Sequence, residues 1–328
     1  MALKDYLTTE VALDHNDGIL TRREALRRLG LMGLSLSAGA ALLAACSTDG
    51  PSAAASSSTA AGSTAASAAT SAPTATAPPA VQLPSTTTVS TTPVSTTTVT
   101  AATSRTAELI KFTGAAGMLI GAYAAAATPK GAVLIIHENK GLTPHFKALP
   151  SRFAASGYSA LALDLLSRQG GTDAIGDEGK ATAALAATPQ DQYVADMKSA
   201  LDELARRVPG VKLATIGFCF GGGQIWSLLA AGEPRLAAAA PFYGPGVSNP
   251  DFTKSKAAVL GVYAEKDSRV NGTKDAMDAA LTTAGLVHAM KVFPGVDHAF
   301  FNETGARYDA TQAAAAYQAV LDWFASHL

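Results

Sequence analysis

Cysteine is scarce in this chain, whose 328 residues include only Cys46 and Cys219. The sequence also lacks the ligand spacing of a metal site and a phosphate-binding glycine loop after a strand. We therefore predict no metal and no cofactor. An excess of one charge is lacking as well, since 25 lysines and arginines accompany 26 aspartates and glutamates. A nucleic-acid-binding domain would show a basic patch, so no nucleic-acid partner is predicted.

The N-terminal region lacks an apolar run long enough to remain in a membrane. The run from Leu29 to Ala45 is shorter, and richer in alanine and glycine, than a span of about 20 residues. Arg22 and Arg23 precede it, like the paired arginines of a twin-arginine signal. It ends in Leu-Ala-Ala-Cys at Cys46, which resembles a bacterial lipobox. We predict that residues 1–46 are an export signal and that a lipid anchor at Cys46 holds the protein at the cell envelope, either in the periplasm or on the outer face of the membrane.

Alternatives remain open for this segment. The small residues before Cys46 can reflect alanine-rich composition, cleavage can release a soluble protein, and export can follow the general secretory route. The residues that follow, 47–104, are nearly all Ser, Thr, Ala and Pro. Such a segment cannot bury enough apolar surface to offset its ordering entropy, so we predict a disordered linker. A lipid-anchored domain on a long tether accounts for both segments.

Residues 105–328 alternate between two hydrophobic periodicities. Short apolar segments bounded by Gly, Pro or Asp predict buried strands. Longer segments with apolar residues three and four apart predict helices. This alternation predicts one α/β domain with a doubly wound, mostly parallel sheet, whose ligands bind beyond the carboxyl ends of the strands. The predicted strands are Gly131 to Ile136, Tyr158 to Leu163, Val211 to Ile216, Ala257 to Tyr263 and Ala289 to Phe293, and the predicted helices include Asp191 to Val208 and Thr311 to His327.

A tight turn after one predicted strand carries Cys219. The sequence Gly217-Phe218-Cys219-Phe220-Gly221 follows the apolar run Val211 to Ile216 and precedes a helix-like stretch. Glycines two positions before and after a nucleophile let its side chain project from a strained strand-to-helix turn. The N–H of Phe220 would lie at a helix start, where amide donors favour an anion. The pattern predicts a nucleophilic cysteine with half of an oxyanion hole, and the alternative is a buried cysteine at a glycine-rich strand end.

A candidate acid and a candidate base follow in the order typical of α/β hydrolases. Asp267 comes after the predicted strand that ends at Tyr263, and His298 lies in the turn after the last predicted strand. Asp297 is a rival acid, but adjacent side chains in an extended or turning backbone point apart. Glu265 is a weaker rival for the same reason.

The choice of base leaves two alternatives open. Three of the six histidines, His15, His288 and His327, lie where a structural or solvated role is expected. His137 and His145 remain possible bases.

These motifs together resemble the dienelactone hydrolase family. The resemblance rests on Gly217 to Gly222, Asp267, Gly295 to Phe300, Val133 to Leu142 and Asp164 to Gln169, and it spans roughly residues 105–328. It implies an α/β-hydrolase fold and a Cys219, Asp267, His298 triad.

The resemblance also implies accessory roles for residues around the triad. Glu138 would face the thiol in the resting enzyme, and the main-chain N–H of Asn139 would join that of Phe220 in the oxyanion hole. Arg168 would bind substrate. A second substrate-binding arginine of the founding enzymes is replaced by Asn302, and an amide cannot supply the charged, bidentate grip of a guanidinium.

We therefore predict a hydrolase of a small carboxylic ester or lactone with a monomeric catalytic domain. A thiol near its ordinary pKa of about 8.5 is mostly protonated at neutral pH, so the nucleophile needs a base, which His298 would supply. An acyl-cysteine would form and then be hydrolysed. The alternative is a catalytically idle surface lipoprotein that binds a small ligand or an envelope partner in the same pocket.

Overall fold

Eight strands form a mostly parallel sheet in the order β1-β2-β4-β3-β5-β6-β7-β8. A computed structural model of the chain describes residues 3–46 and 106–328. Strand β2 runs antiparallel to both β1 and β4, and the other pairs are parallel. The strands are Glu108–Gly114 (β1), Gly117–Ala124 (β2), Gly131–Ile136 (β3), Tyr158–Asp164 (β4), Leu213–Phe218 (β5), Leu236–Phe242 (β6), Ala258–Ala264 (β7) and His288–Phe293 (β8).

Helices pack against the sheet and make its central strands continuously buried. Every residue of β3, β4, β5 and β7 is buried, which requires cover on both faces. The helices are Leu3–Asn16 (α1), Arg22–Leu31 (α2), Leu36–Ala45 (α3), Pro144–Ala155 (α4), Thr172–Ile175 (α5), Glu178–Ala187 (α6), Gln190–Arg207 (α7), Phe220–Ala230 (α8), Ser268–Thr283 (α9) and Ala310–His327 (α10), with a 3-10 turn at Ser167–Gln169.

The predicted α/β architecture is confirmed. The five predicted strands are β3, β4, β5, β7 and β8, and their ends differ from the prediction by at most two residues. The two predicted helices are α7 and α10. Strands β1, β2 and β6 were not predicted. The carboxyl ends of β3, β5, β7 and β8 lead into the segments that carry Glu138, Cys219, Asp267 and His298.

The N-terminal residues fold onto the α/β domain. Helices α1, α2 and α3 pack on one another, α1 and α2 also contact α6, and residues 3–46 belong to the same compact unit as residues 106–328. Ion pairs support this packing, with Arg27 3.0 Å from Asp177 and Arg28 3.1 Å from Glu178.

The predicted export signal was expected to be separate from the catalytic domain, whereas the structure packs these helices against it. Within the residues described, no helix has the length and apolar character needed to cross a bilayer. Cys46 is half-buried at the end of α3. Export and lipid attachment stay predictions, and the predicted linker, 47–104, lies outside the described residues.

Candidate active site

Cys219 lies on a strained turn between β5 and α8. Its φ of 55° and ψ of −119° are unusual for a residue with a side chain. The flanking glycines permit this turn because neighbouring backbone atoms leave no room for a side chain at either position. A Cβ atom on Gly221 would lie 2.5 Å from the carbonyl oxygens of Ile136 and His137, and one on Gly217 would overlap the carbonyl of Gly221. The turn therefore has the geometry of a nucleophile elbow.

His298 and Asp267 form a buried pair beside the thiol. Nδ1 of His298 lies 2.5 Å from Oδ2 of Asp267, while Oδ1 of Asp267 accepts the N–H of Val270 at the start of α9. A ring nitrogen of His298 and Sγ of Cys219 belong to a cluster of atoms that all lie within 4.8 Å of one another. Since Nδ1 donates to the carboxylate, Nε2 is the ring nitrogen turned to the thiol, as a triad requires.

The two rival carboxylates are used elsewhere. Asp297 accepts the main-chain N–H of His298 at 2.6 Å, and Glu265 accepts the N–H of Gly295 at 2.7 Å. Both stabilise the turn that carries the histidine. Asp267 is thus the carboxylate that the structure brings to the imidazole.

The two rival histidines also differ from His298. His137 is fully buried, with Nδ1 2.6 Å from the carbonyl of Glu138 and Nε2 accepting the N–H of Leu165 at 3.1 Å. Burial lowers the pKa of His137, which favours this neutral, structural state. His145 lies on the wall of the cleft, with Nδ1 2.7 Å from Oε2 of Glu303.

Glu138 faces the site but is bonded to two neighbours. Tyr243 donates its hydroxyl to Oε1 at 3.2 Å, and Asn302 donates Nδ2 to Oε2 at 2.8 Å. The negative charge of Glu138 contributes to raising the pKa of Cys219. Asn302, which the sequence places where a substrate-binding arginine is expected, is therefore a partner of Glu138 and also lines the cleft.

Of the two predicted oxyanion donors, Phe220 follows the nucleophile directly in the chain, whereas Asn139 comes from the segment after β3. Phe220 is the first residue of α8, where the N–H groups of the first turn have no helical acceptor. Asn139 lines the same cleft, and its carbonyl accepts the hydroxyl of Thr182 at 2.9 Å. Two such N–H groups can stabilise the oxyanion that forms when a thiolate attacks a carbonyl.

Arg168 is not brought to this site. It forms a two-pronged ion pair with the buried Asp196, at 3.1 Å and 2.6 Å, and it is not among the residues that line the cleft. The prediction for Arg168 rested on the family resemblance of the segment Asp164 to Gln169, which does not specify where the side chain points.

Sequence reasoning missed two residues of α1 that reach the catalytic atoms. The hydroxyl of Tyr6 lies 3.3 Å from Sγ of Cys219 and 3.5 Å from Nε2 of His298. Oε1 of Glu10 lies 3.6 Å from the same Nε2. Because the N-terminal segment was predicted to be an export signal, no pattern assigned it to the catalytic cleft. The four-residue spacing of Tyr6 and Glu10, one helical turn, is the signal that could have placed them on one face.

Two arginines that the sequence prediction also missed hold this face of α1. Arg269 is ion-paired with Glu10 and lies over the ring of Tyr6, 4.2 Å from its centroid. Arg307 pairs with Asp14 at 3.0 Å and with Asp17 at 2.5 Å. Positive charge from the α/β domain therefore meets negative charge from α1.

Burial and the neighbouring charges set the protonation of the catalytic pair. Burial raises the pKa of Cys219, and the negative charge of Glu10 raises it further, against the opposing effect of His298. Burial by itself would lower the pKa of His298, but the negative charges of Glu10 and Asp267 raise it well above its usual value. The arrangement favours an imidazolium beside a neutral thiol.

A cleft remains beside the catalytic residues with α1 in place, and Glu10 and Asp14 of α1 form part of its wall. Its volume is about 370 Å³, and its walls include Cys219, His298, Glu138 and Asn139. This volume lies at the lower end of the usual range for small-ligand sites. Zinc also accepts carboxylate, thiol and imidazole ligands, which Glu10, Cys219 and His298 offer here. A metal bound by these residues would engage both the nucleophile and the base.

The sheet order and the site on the strand ends define an α/β-hydrolase fold. The chain belongs to the dienelactone hydrolase family, whose model matches residues 119–328. It is 31% identical over 212 residues to a Yersinia pestis protein named "Putative carboxymethylenebutenolidase", covering 61% of this chain and 79% of that one. A Saccharolobus solfataricus protein with the same name is 29% identical over 232 residues, covering 58% and 88%. A crystal structure of a "Putative Dienelactone Hydrolase" of Klebsiella pneumoniae is 29% identical, with a TM-score of 0.59, and covers 67% of this chain and 98% of that one. The predicted family is confirmed.

Proposed function

We propose that this protein hydrolyses a small carboxylic ester or lactone through Cys219, His298 and Asp267. The observation that carries the proposal is the elbow cysteine beside a histidine whose other ring nitrogen is bonded to a buried carboxylate. Membership of a hydrolase family supports the same reaction class. A catalytically idle binding protein has no need of this alignment.

The first half of the reaction transfers the acyl group to sulfur. Neutral His298 accepts the proton of the Cys219 thiol at Nε2, and the thiolate attacks the carbonyl carbon. The N–H groups of Phe220 and Asn139 stabilise the oxyanion, each by about 3 to 4 kcal/mol if they act as in serine enzymes. The C–O bond then breaks, and the imidazolium gives its proton to the departing alkoxide. An acyl-cysteine remains, and in a lactone the alcohol stays attached to it.

The second half releases the acid. His298 accepts a proton from a water molecule, and the hydroxide attacks the acyl-cysteine carbonyl. The C–S bond breaks, the thiolate regains the proton from His298, and the carboxylic acid leaves. Asp267 holds the imidazole in one tautomer and stabilises its positive charge throughout, which is the role of the third member of a triad.

Replacement of the nucleophile tests this proposal. Cys219→Ala should abolish hydrolysis of a p-nitrophenyl ester while the thermal midpoint changes by only a few degrees. Cys219→Ser should fold and bind substrate but lose most of its turnover, because a hydroxyl is a much weaker acid than a thiol. We would measure kcat and a melting curve for both variants, with Cys46→Ala as the matched cysteine control. Wild-type turnover in Cys219→Ala, or unfolding of both Cys219 variants, would show that Cys219 is a packed core thiol.

We also propose that the protein is exported and anchored at the cell envelope. The support comes from Arg22 and Arg23 before an apolar run, and from the lipobox-like sequence that ends at Cys46. Arg22 and Arg23 are exposed at the start of α2, so a receptor can reach them while the catalytic domain is folded.

A further inference from the structure

Helix α1 occupies the space that a substrate carbonyl must enter. A carbonyl carbon about to be attacked lies about 3 to 3.5 Å from its nucleophile. The hydroxyl of Tyr6 already lies 3.3 Å from Sγ of Cys219 and 3.5 Å from Nε2 of His298. Tyr6 is only 1% exposed, so this contact is enclosed by protein. The tyrosine and a reacting ester cannot occupy this position together.

Glu10, one turn further along α1, contacts the catalytic base. Its Oε1 lies 3.6 Å from Nε2 of His298, and the residue is 4% exposed. A carboxylate at this position favours the imidazolium, and an imidazolium cannot accept the thiol proton. The contact therefore opposes activation of Cys219 as well as blocking access to it.

Charge complementarity holds α1 in the cleft. Glu10, Asp14 and Asp17 form an acidic row that meets Arg269 and Arg307 of the α/β domain. The match is incomplete, because Nε and Nη1 of the buried Arg269 have no hydrogen-bond partner among the described residues. Because unpaired buried donors cost free energy, the docked position of α1 does not satisfy Arg269 fully. A group that bonded these donors would compete with α1 for the arginine.

We propose that α1 is a tethered cap that inhibits the active site and must leave the cleft before substrate can react. The inhibitory consequence rests on the proposed hydrolase function, whereas the covering of Cys219 does not. Because α1 is joined to α2 by a short turn, its effective concentration at the cleft is high and substrate must compete with it. Export with removal of residues 1–46, if it occurs as proposed, would convert the capped chain into the open enzyme.

The first test removes the two blocking side chains from the full-length protein. In a Cys46→Ala background, Tyr6→Ala combined with Glu10→Gln should increase the rate of Cys219 alkylation by iodoacetamide. A cap that is open about one tenth of the time or less predicts an increase of about tenfold or more, and a similar rise in kcat/KM for a p-nitrophenyl ester. Lys4→Ala combined with Asp5→Ala, at exposed positions of the same helix, is the matched control and should change neither rate.

A second variant loosens α1 without altering it. Arg307→Ala removes the partner of Asp14 and Asp17 while Tyr6 and Glu10 remain present. It should therefore also increase the rate of Cys219 alkylation and kcat/KM for the ester. Melting curves identify any variant that fails to fold. The first variant changes the α1 side of the interface between α1 and the α/β domain, and Arg307→Ala changes the other side.

The outcomes separate the cap from the hydrolase proposal. Faster alkylation without measurable ester hydrolysis in any variant would support the cap and contradict the proposed function. Unchanged alkylation in both folded variants would overturn the cap. Loss of hydrolysis in the Tyr6 and Glu10 variant while alkylation stays the same would also overturn it, because these residues would then assist catalysis.

Discussion

Cys219 and its neighbours illustrate how single side chains depend on their hydrogen bonds. The thiol is buried beside Glu138, a carboxylate that is itself held by Tyr243 and Asn302. A buried charge that loses a donor costs more than a neutral group would, because burial has removed the water that could replace it. The hydrogen bonds of Glu138 therefore affect both stability and the environment of the nucleophile.

Two buried tyrosines provide a matched test of how much the hydrogen bonds of Glu138 contribute to stability. Tyr243→Phe removes a hydrogen bond to Glu138 and should lower the free energy of unfolding by about 1 to 3 kcal/mol. Tyr263→Phe should be neutral or stabilising, because the Tyr263 hydroxyl is buried without a hydrogen-bond partner in the described part of the chain. Urea unfolding of both variants measures the difference. Equal destabilisation would contradict the assigned role of Tyr243.

Asp14 on α1 should make the stability of the capped chain depend on pH. Burial, with the nearby charge of Glu10, raises the pKa of Asp14 to about 6, against the opposing effects of Arg307 and Lys140. The folded chain therefore retains a proton that the unfolded chain releases near pH 4. The stability contributed by this proton is present below about pH 4 and is lost as pH rises to about 6, by up to about 3 kcal/mol.

Asp14→Asn should remove this dependence. Relative to the wild type, the variant should gain thermal stability between pH 4 and pH 7, as measured by melting curves in matched buffers. Asp5→Asn, at an exposed position of the same helix, should show no such gain. An Asp14→Asn difference that stays constant with pH would count against the raised pKa.

At the scale of elements, the turn between β5 and α8 tolerates little change. Gly221→Ala would bring a Cβ atom to 2.5 Å from two backbone carbonyls, which cannot move without disturbing β3. We expect a loss of about 1 to 3 kcal/mol or more, together with loss of hydrolysis. Gly272→Ala in α9 is the control: apart from its chain neighbours and the backbone of its own helix, no described atom lies within 4 Å of its Cβ position, and alanine should stabilise the helix by about 0.5 to 1 kcal/mol. Thermal melts and ester assays of both variants distinguish a steric effect from general sensitivity.

The prediction of elements from sequence succeeded where burial made the pattern continuous. Strands such as β3, with the sequence GAVLII, were predicted because β-branched and leucine residues occur without interruption. β6 was missed because its sequence LAAAAPF is rich in alanine, which favours helices, and tertiary packing overrides that preference. β1, which is an edge strand, and β2, which pairs with it, were missed because both have exposed positions and weaker patterns.

The candidate site was predictable to the extent that it follows strand ends in chain order. Cys219, Asp267 and His298 were placed by this rule, and the structure brings them together. The contacts of Tyr6 and Glu10 were not predictable. They depend on long-range docking of a segment more than 200 residues away from the nucleophile, and no local periodicity encodes such a contact.

At the scale of the whole molecule, export and anchoring are tested by fractionation. Cys46→Ala should move the protein from the membrane fraction to the soluble fraction, because the proposed lipid anchor would supply stable membrane binding. Replacement of both Arg22 and Arg23 by lysine should leave the precursor in the cytoplasm if the twin-arginine route is used. Unchanged fractionation of Cys46→Ala would exclude the anchor, and normal export of the lysine variant would indicate the general secretory route.

The position of α1 also determines how a ligand changes the heat stability of the full chain. A ligand that binds only the folded state normally raises the melting temperature according to its concentration and affinity. Here the ligand must first displace a helix whose docking already stabilises the fold. The observed rise therefore reports the difference between ligand binding and helix docking, and a weak but genuine active-site ligand would give no thermal shift. Ligand screens by thermal shift are accordingly more sensitive with Tyr6→Ala combined with Glu10→Gln than with the native sequence.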